Sequence, residues 1–269
     1  MTKSEAENRH KVEQVVKLKA KEQTLVWTVI WVLASLVMLL AAAEPGPAPV
    51  LPPVIAERLQ SNSPSMGKEP ATAEVLDLYG SKVCDEDLAA LKLLPQLKLL
   101  YLGPQVTDAG LEHVKCLKKL MMLGLNNTKI SDAGLEHLRS LTQLTALHLR
   151  DTKISDTGLD HLKLLTRLTD LDLCKTQVTD AGLVHLKWLT RLHLLSLSGT
   201  QISDAGLAHL KPLTQLWELC IGGTKVSDAG LEHLRPLTQL VDIELRETQV
   251  TKAGVEALRK QIPERRIRW

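Results

Sequence analysis

Glycine recurs at a fixed interval of 24 residues: Gly110, Gly134, Gly158, Gly182, Gly206, Gly230 and Gly254. The first six each sit in a cassette whose clearest copy is 144–167, LTALHLRDTKISDTGLDHLKLLTR. A period in the range of roughly 20–50 residues marks a stack of like units, each leaning only on its neighbours.

Numbering the cassette from Leu144, positions 1, 4 and 6 are apolar: Leu144, Leu147, Leu149, then Leu168, Leu171, Leu173, then Leu192, Leu195, Leu197. The L-x-L step reads as a strand, because alternate residues point to one side. Position 9 is Thr (Thr128, Thr152, Thr176, Thr200, Thr224, Thr248) and position 11 is Ile or Val. Next comes S/T-D-x-G-L-x-H-L, with Ser or Thr as a helix N-cap and Asp at the positive end of the helix dipole. Leu at positions 16, 19 and 22 lies on one helix face. Pro212 and Pro236 at position 21 limit the helix to about two turns. Neither element buries its apolar side alone, so the units must stack around a shared core. The absence of Phe makes that core aliphatic.

The pattern L-x-x-L-x-L-x-x-T-x-[IV]-[ST]-D-x-G-L-x-x-L resembles the leucine-rich repeat family. It is most similar to the subclass with a T-D-x-G-L helix start, found in bacterial repeat proteins and in the repeats of F-box ubiquitin-ligase adaptors. The resemblance covers about 190 residues from Ala73 and implies an α/β solenoid, with a parallel sheet on the concave side and short helices outside. It also implies protein binding. Where many members carry Asn, position 9 is Thr, whose hydroxyl is expected to bond the turn backbone.

Seven units follow a partial one at 73–96, where Asp87 stands in place of glycine. The unit from Leu97 to Lys119 is one residue short around Gly103-Pro104-Gln105. The last unit replaces Asp with Lys252 and ends at Pro263, and RRIRW (265–269) is expected to add a charged edge strand. The solenoid is therefore placed at 71–269, with capping units at both ends.

Ahead of it, residues 1–23 form a charged tail. Residues 24–43, TLVWTVIWVLASLVMLLAAA, run without a charge, the length of one transmembrane helix. Trp27 and Trp31 suit a membrane interface. The basic leader places the N-terminus in the cytoplasm and the repeats outside it. The alternative is a signal peptide cleaved near Ala43, after which the repeats are secreted. Residues 44–70 hold seven prolines and read as an extended, unpacked spacer.

The chain carries 33 basic and 31 acidic residues, a balance without a nucleic-acid signature. Cys84, Cys116, Cys174 and Cys220 form no CxxC pair and read as free thiols. The six cassette histidines, from His113 to His233, lie on successive helices about 8–10 Å apart, too far to share a metal. The cassette aspartates suit helix capping better than calcium. No nucleophile elbow, P-loop, HExxH or dinucleotide fingerprint occurs. Enzyme, cofactor, metal and small-molecule functions are not expected. Asn126-Asn127-Thr128 is formally a glycosylation sequon.

What the stack does not dictate is positions 3, 5, 7 and 8, expected to face out of the concave sheet. The residues there with recognition chemistry are Tyr101, Asn126, His148, Arg150, Asp170, Asp172, Lys175, Glu218, Asp242, Glu244 and Arg246. The C-terminal half leans acidic. The expected function is a membrane-tethered module that binds another protein, one with a basic patch, through this face. An adaptor of a ubiquitin-ligase-like system and a self-assembling envelope protein are the alternatives.

Overall fold

The computed structural model describes residues 51–62, 70–261 and 266–269. The tail at 1–23 and the apolar stretch at 24–43 lie outside the described residues. Among those that are described, no helix is long and apolar enough to cross a membrane. The chain divides into two units, Met1–Val50 and Leu51–Trp269.

The described residues of the second unit form nine parallel strands paired strictly in chain order. They are β1 (Val75–Asp77), β2 (Leu99–Tyr101), β3 (Met122–Gly124), β4 (Ala146–His148), β5 (Asp170–Asp172), β6 (Leu194–Ser196), β7 (Glu218–Cys220), β8 (Asp242–Glu244) and β9 (Arg266–Arg268). Ala146 faces Asp170, and Asp170 faces Leu194, so like positions stack on like. The short unit costs no register. Leu99 pairs with Met122, and the missing residue is absorbed in the loop.

Each strand is three residues long and its middle residue points inward. Leu100, Leu123, Leu147, Leu171, Leu195, Leu219 and Ile243 are fully buried. The helices opposite are α2 (Asp108–Val114), α3 (Asp132–Glu136), α4 (Asp156–Leu159), α5 (Asp180–Leu183), α6 (Asp204–Leu207), α7 (Asp228–Leu231) and α8 (Lys252–Gln261). From α3 to α7 the second turn tightens to 3-10 geometry, as in Asp160–Leu164 after α4. The return to the strand stays on i to i+3 bonds: Leu165 N–H donates to Leu162 at 2.8 Å, and Leu168 N–H to Leu165 at 3.0 Å. The two-turn helix expected from Pro212 and Pro236 is therefore present, with half of it wound more tightly.

The position-9 threonines behave as expected. Thr152 Oγ1 donates to the Leu149 carbonyl at 2.6 Å, and Thr128, Thr176, Thr200, Thr224 and Thr248 repeat the bond. The turn before each Thr needs a left-handed residue at position 8. Asn127, Asp151, Lys175, Gly199, Gly223 and Glu247 all have φ between 54° and 71°.

The cassette Asp does something other than the helix capping expected of it. Asp108 accepts from the backbone N–H and the hydroxyl of Ser131 in the next unit, at 2.7 and 2.5 Å. The same two-pronged bond links Asp132 to Ser155, Asp156 to Thr179, Asp180 to Ser203 and Asp204 to Ser227. Asp85 to Thr107 starts this ladder and Asp228 to Thr251 ends it. Its rungs hold unit to unit, which a single helix cap cannot do. Thr107, Thr179, Ser227 and Thr251 also cap their own helices, accepting weakly at 3.3 Å.

One boundary needs correction. The spacer expected to run extended and unpacked over 44–70 contains a helix, α1 (Pro53–Asn62). Ile55 is fully buried in the core, and Leu51, Val54 and Leu59 pack against it. These residues fall on one helical face, and Pro53 sits in the first turn, where its missing N–H costs nothing. The helix covers the open end of the core beside β1, so the solenoid begins at Leu51 rather than residue 71. At the other end β9 forms as expected, and Trp269 Nε1 donates to the Val250 carbonyl at 2.9 Å.

Candidate functional site

With the middle residue of each strand inside, the first and third face outward as two parallel lanes. The first lane runs Val75, Leu99, Met122, Ala146, Asp170, Leu194, Glu218, Asp242, Arg266. The third runs Asp77, Tyr101, Gly124, His148, Asp172, Ser196, Cys220, Glu244, Arg268. Of the first lane, the stretch from Val75 to Ala146 is apolar, and beyond it every residue but Leu194 is charged. Most of these side chains are only half exposed, since neighbouring strands shield them.

Of the residues expected here, Tyr101, His148, Asp170, Asp172, Glu218, Asp242 and Glu244 do lie on the sheet face. Asn126, Arg150, Lys175 and Arg246 do not. They belong to the turns after the strands, because the chain leaves the strand at position 6 and turns at positions 7 and 8. Asn126 spends its side-chain carbonyl on the Arg150 N–H, at 2.9 Å. Tyr101 rests its hydroxyl 2.7 Å from Met122 Sδ.

The acidic residues separate into two groups. At the C-terminal end, Arg268 of β9 donates to Asp242 at 2.9 Å and to Glu218 at 3.0 Å, and lies 3.6 Å from Glu244. Arg266 adds a contact to Asp242 at 3.7 Å. Glu244 also accepts from the Arg246 N–H at 3.1 Å. Three of the expected acidic residues are thus largely answered from within the chain. The parity of Arg266-Ile267-Arg268 carried that signal: with Ile267 inward, both arginines must face the carboxylates.

The second group is Asp170 and Asp172 on β5. Asp172 caps its own turn, accepting from Cys174 N–H at 2.9 Å. Asp170 lies 3.5 Å from His148 Nε2. That carboxylate raises the His148 pKa above its ordinary value, and partial burial offsets only part of the effect. With neutral His148, β5 presents two carboxylates that no Lys or Arg of the described residues pairs with.

Between these groups the turns shrink to Ser198-Gly199 and Gly222-Gly223, leaving a depression of about 400 Å³ floored by Ser196, Cys220 and the glycines. Arg150 and Lys175 stand on one side and Glu244 and Arg246 on the other. The four cysteines are free. Cys174 is buried, 2.7 Å from Ser196 Oγ. Burial, with Glu218 nearby, pushes the Cys220 thiol up to about 11. Among the described residues no group of three His, Cys, Asp or Glu is placed to hold a metal.

The family model described as Leucine Rich repeat matches residues 140–162. Among curated proteins nothing matches the chain. The crystal structure of internalin C2 from Listeria monocytogenes aligns with 77% of this chain and 89% of its own, at 24% identity and a TM-score of 0.61. A second internalin of that organism, inlF, covers 80% of this chain and 94% of its own, at 18% identity and a TM-score of 0.47. The repeat period, the in-register parallel sheet, the matched repeat and the likeness to internalin C2 agree: the chain has the leucine-rich repeat fold.

Proposed function

We propose that this solenoid is a non-enzymatic protein-recognition module of the T-D-x-G-L subclass, held at a membrane by residues 24–43 and working outside the cytoplasm. One observation carries the recognition reading. The inward positions hardly vary from unit to unit, whereas the outward ones do: the first lane is apolar from Val75 to Ala146, and the carboxylates Asp170, Asp172, Glu218, Asp242 and Glu244 gather on β5, β7 and β8 of the same sheet face. A stack that served only as a spacer has no need of that segregation. The partner that fits presents apolar side chains to Leu99, Tyr101 and Met122 and a cationic group to Asp170 and Asp172. The subclass rests on the Asp ladder, which gives each S/T-D-x-G-L copy a physical task. The membrane placement rests on the uncharged stretch at 24–43 and its basic leader.

A photoreactive side chain introduced at Ser196, and separately at Val184 on the helix side, tests this in the full chain in its native membrane. The reading expects a crosslinked protein from Ser196 and none from Val184. Adducts from Val184 alone would place recognition on the helices instead.

A further inference from the structure

The formal charge of the whole chain is only +2, yet the charge is not evenly placed. The segments that return each helix to its strand read KLLPQLK (92–98), KCLKKLM (115–121), RSLTQLT (139–145), KLLTRLT (163–169), KWLTRLH (187–193), KPLTQLW (211–217) and RPLTQLV (235–241). Every one carries Lys or Arg, and none carries Asp or Glu. The in-register sheet stacks them along one edge of the solenoid, and side chains touch from unit to unit there. Lys118 donates to Ser140 Oγ at 2.7 Å, Lys119 to Gln96 Oε1 at 2.5 Å, and Arg167 to the Gln143 side chain. These partners are neutral. The position-20 cations Lys115, Arg139, Lys163 and Arg235 reach carboxylates on the helix side, and Lys98 reaches Glu74. Lys118, Lys119, Arg167, Lys187, Arg191 and Lys211 are exposed and pair with no carboxylate of the described residues.

The same edge carries most of the large apolar side chains that the fold leaves in solvent. Met121, Leu164, Trp188, Trp217 and Val241 are 41–56% exposed and lie between the cations. Lys187 Nζ sits 5.1 Å from the Trp188 ring. A core-building argument explains none of them, since the buried leucines of these segments already fill the stack.

We propose that this edge docks on an anionic phospholipid surface, its Lys and Arg at the headgroups and Trp188 and Trp217 in the interface. Tryptophan beside cations is the composition that prefers a bilayer boundary, and each Lys or Arg near an anionic surface strengthens binding about fivefold. A nucleic acid would accept the cations equally and stack on the two tryptophans, but it would leave the aliphatic Met121, Leu164 and Val241 in water, which a bilayer boundary buries. The inference rests on the reading that 24–43 brings the chain to a bilayer.

The test reconstitutes the full chain in vesicles containing brominated phosphatidylcholine, with or without phosphatidylglycerol. The rim signal is the fluorescence quenching of the chain minus that of the Trp188→Tyr/Trp217→Tyr variant, which cancels the other tryptophans. Sedimentation with the vesicles reads the 24–43 stretch separately, so the two failures are distinguishable. The proposal expects rim quenching only with phosphatidylglycerol, lost at high salt and in a Lys118→Glu/Arg167→Glu/Arg191→Glu/Lys211→Glu variant whose circular dichroism is unchanged. It is overturned by rim quenching indifferent to lipid charge, or by none at all. Binding of a labelled DNA duplex, abolished by the same charge reversal while lipid quenching is absent, also overturns it.

Discussion

The carboxylate of Asp132 fills the space that a side chain on Gly158 would need. A Cβ there would fall inside contact distance of Asp132 Oδ1, the same oxygen that accepts the Ser155 N–H at 2.8 Å. Every glycine of the 24-residue beat faces the ladder Asp of the unit before it in this way. The beat therefore follows from the ladder. It also explains both ends. Asp87 stands in place of glycine where no earlier unit supplies a carboxylate, and Lys252 stands in place of Asp where no later cassette needs a rung.

This relationship predicts a coupled pair. Gly158→Ala alone should destabilise the fold by about 2 kcal/mol, in the range of overpacked cores. In an Asp132→Ala background, where Oδ1 and Cγ are gone, the same change should cost far less. The coupling read from a denaturation double-mutant cycle should be about 1–3 kcal/mol. Simple additivity would show that the glycine serves some other purpose.

The rung also carries a pH signature. Burial raises the Asp132 pKa, but bonds from Ser155 and Thr157 outweigh it and hold the carboxyl below its usual value of 3.8. A depressed folded pKa means the stabilisation is complete above the unfolded pKa and is lost as pH falls through the folded one. Melting temperature should therefore drop as pH goes below about 4. Asp132→Asn should be less stable at neutral pH and show a smaller acid-induced drop. An equal drop in both proteins would remove Asp132 from the account.

Arg268 is the second structural charge. Arg268→Ala leaves Glu218, Asp242 and Glu244 facing one another without their shared cation. With roughly a third of its side chain exposed, the loss should be about 1–2 kcal/mol. It should shrink at high salt, because the remaining repulsion is screened. A salt-independent loss in chemical denaturation would point to packing of the aliphatic stem instead.

His148 offers a local titration. Its folded pKa is raised by Asp170, so the pair stabilises the fold below the unfolded His pKa, and that contribution fades as pH rises through the folded value. Asp170→Asn should move the His148 imidazole resonance to a lower midpoint in an NMR titration. An unmoved midpoint would mean the contact at 3.5 Å is not formed in solution.

The fold was legible from the sequence because its period repeats one physical problem seven times. Strand, tight turn and short helix all followed from Leu147, Thr152 and Leu159 and their copies. What escaped lay in relations across units. The pairing of Asp132 with Ser155 is invisible inside one cassette, where Asp beside Ser looks like a helix cap. The cap α1 is hard to see in the sequence because it starts inside a proline-rich stretch, and the face formed by Val54, Ile55 and Leu59 gains its meaning only against the open end of the stack. On the candidate site, the parity of each strand placed His148, Asp170 and Asp172 correctly. Arg150 and Lys175 leave the sheet face because strand alternation ends at position 5 and the chain enters a left-handed turn at position 8. As an edge residue Arg268 is expected only to discourage further pairing, but its long side chain reaches back to Glu218, two strands in.

The most direct test of the recognition reading is an Asp170→Lys/Asp172→Asn variant, measured for both partner crosslinking from Ser196 and thermal melting. The carboxamide introduced at position 172 retains an acceptor for the Cys174 N–H. The ammonium introduced at position 170 reverses the charge that β5 presents and, of the contacts within the scaffold, removes the one to His148 at 3.5 Å. The account predicts that crosslinking is lost while the melting temperature stays within a few degrees of the parent. Undiminished crosslinking at an unchanged melting temperature would contradict it.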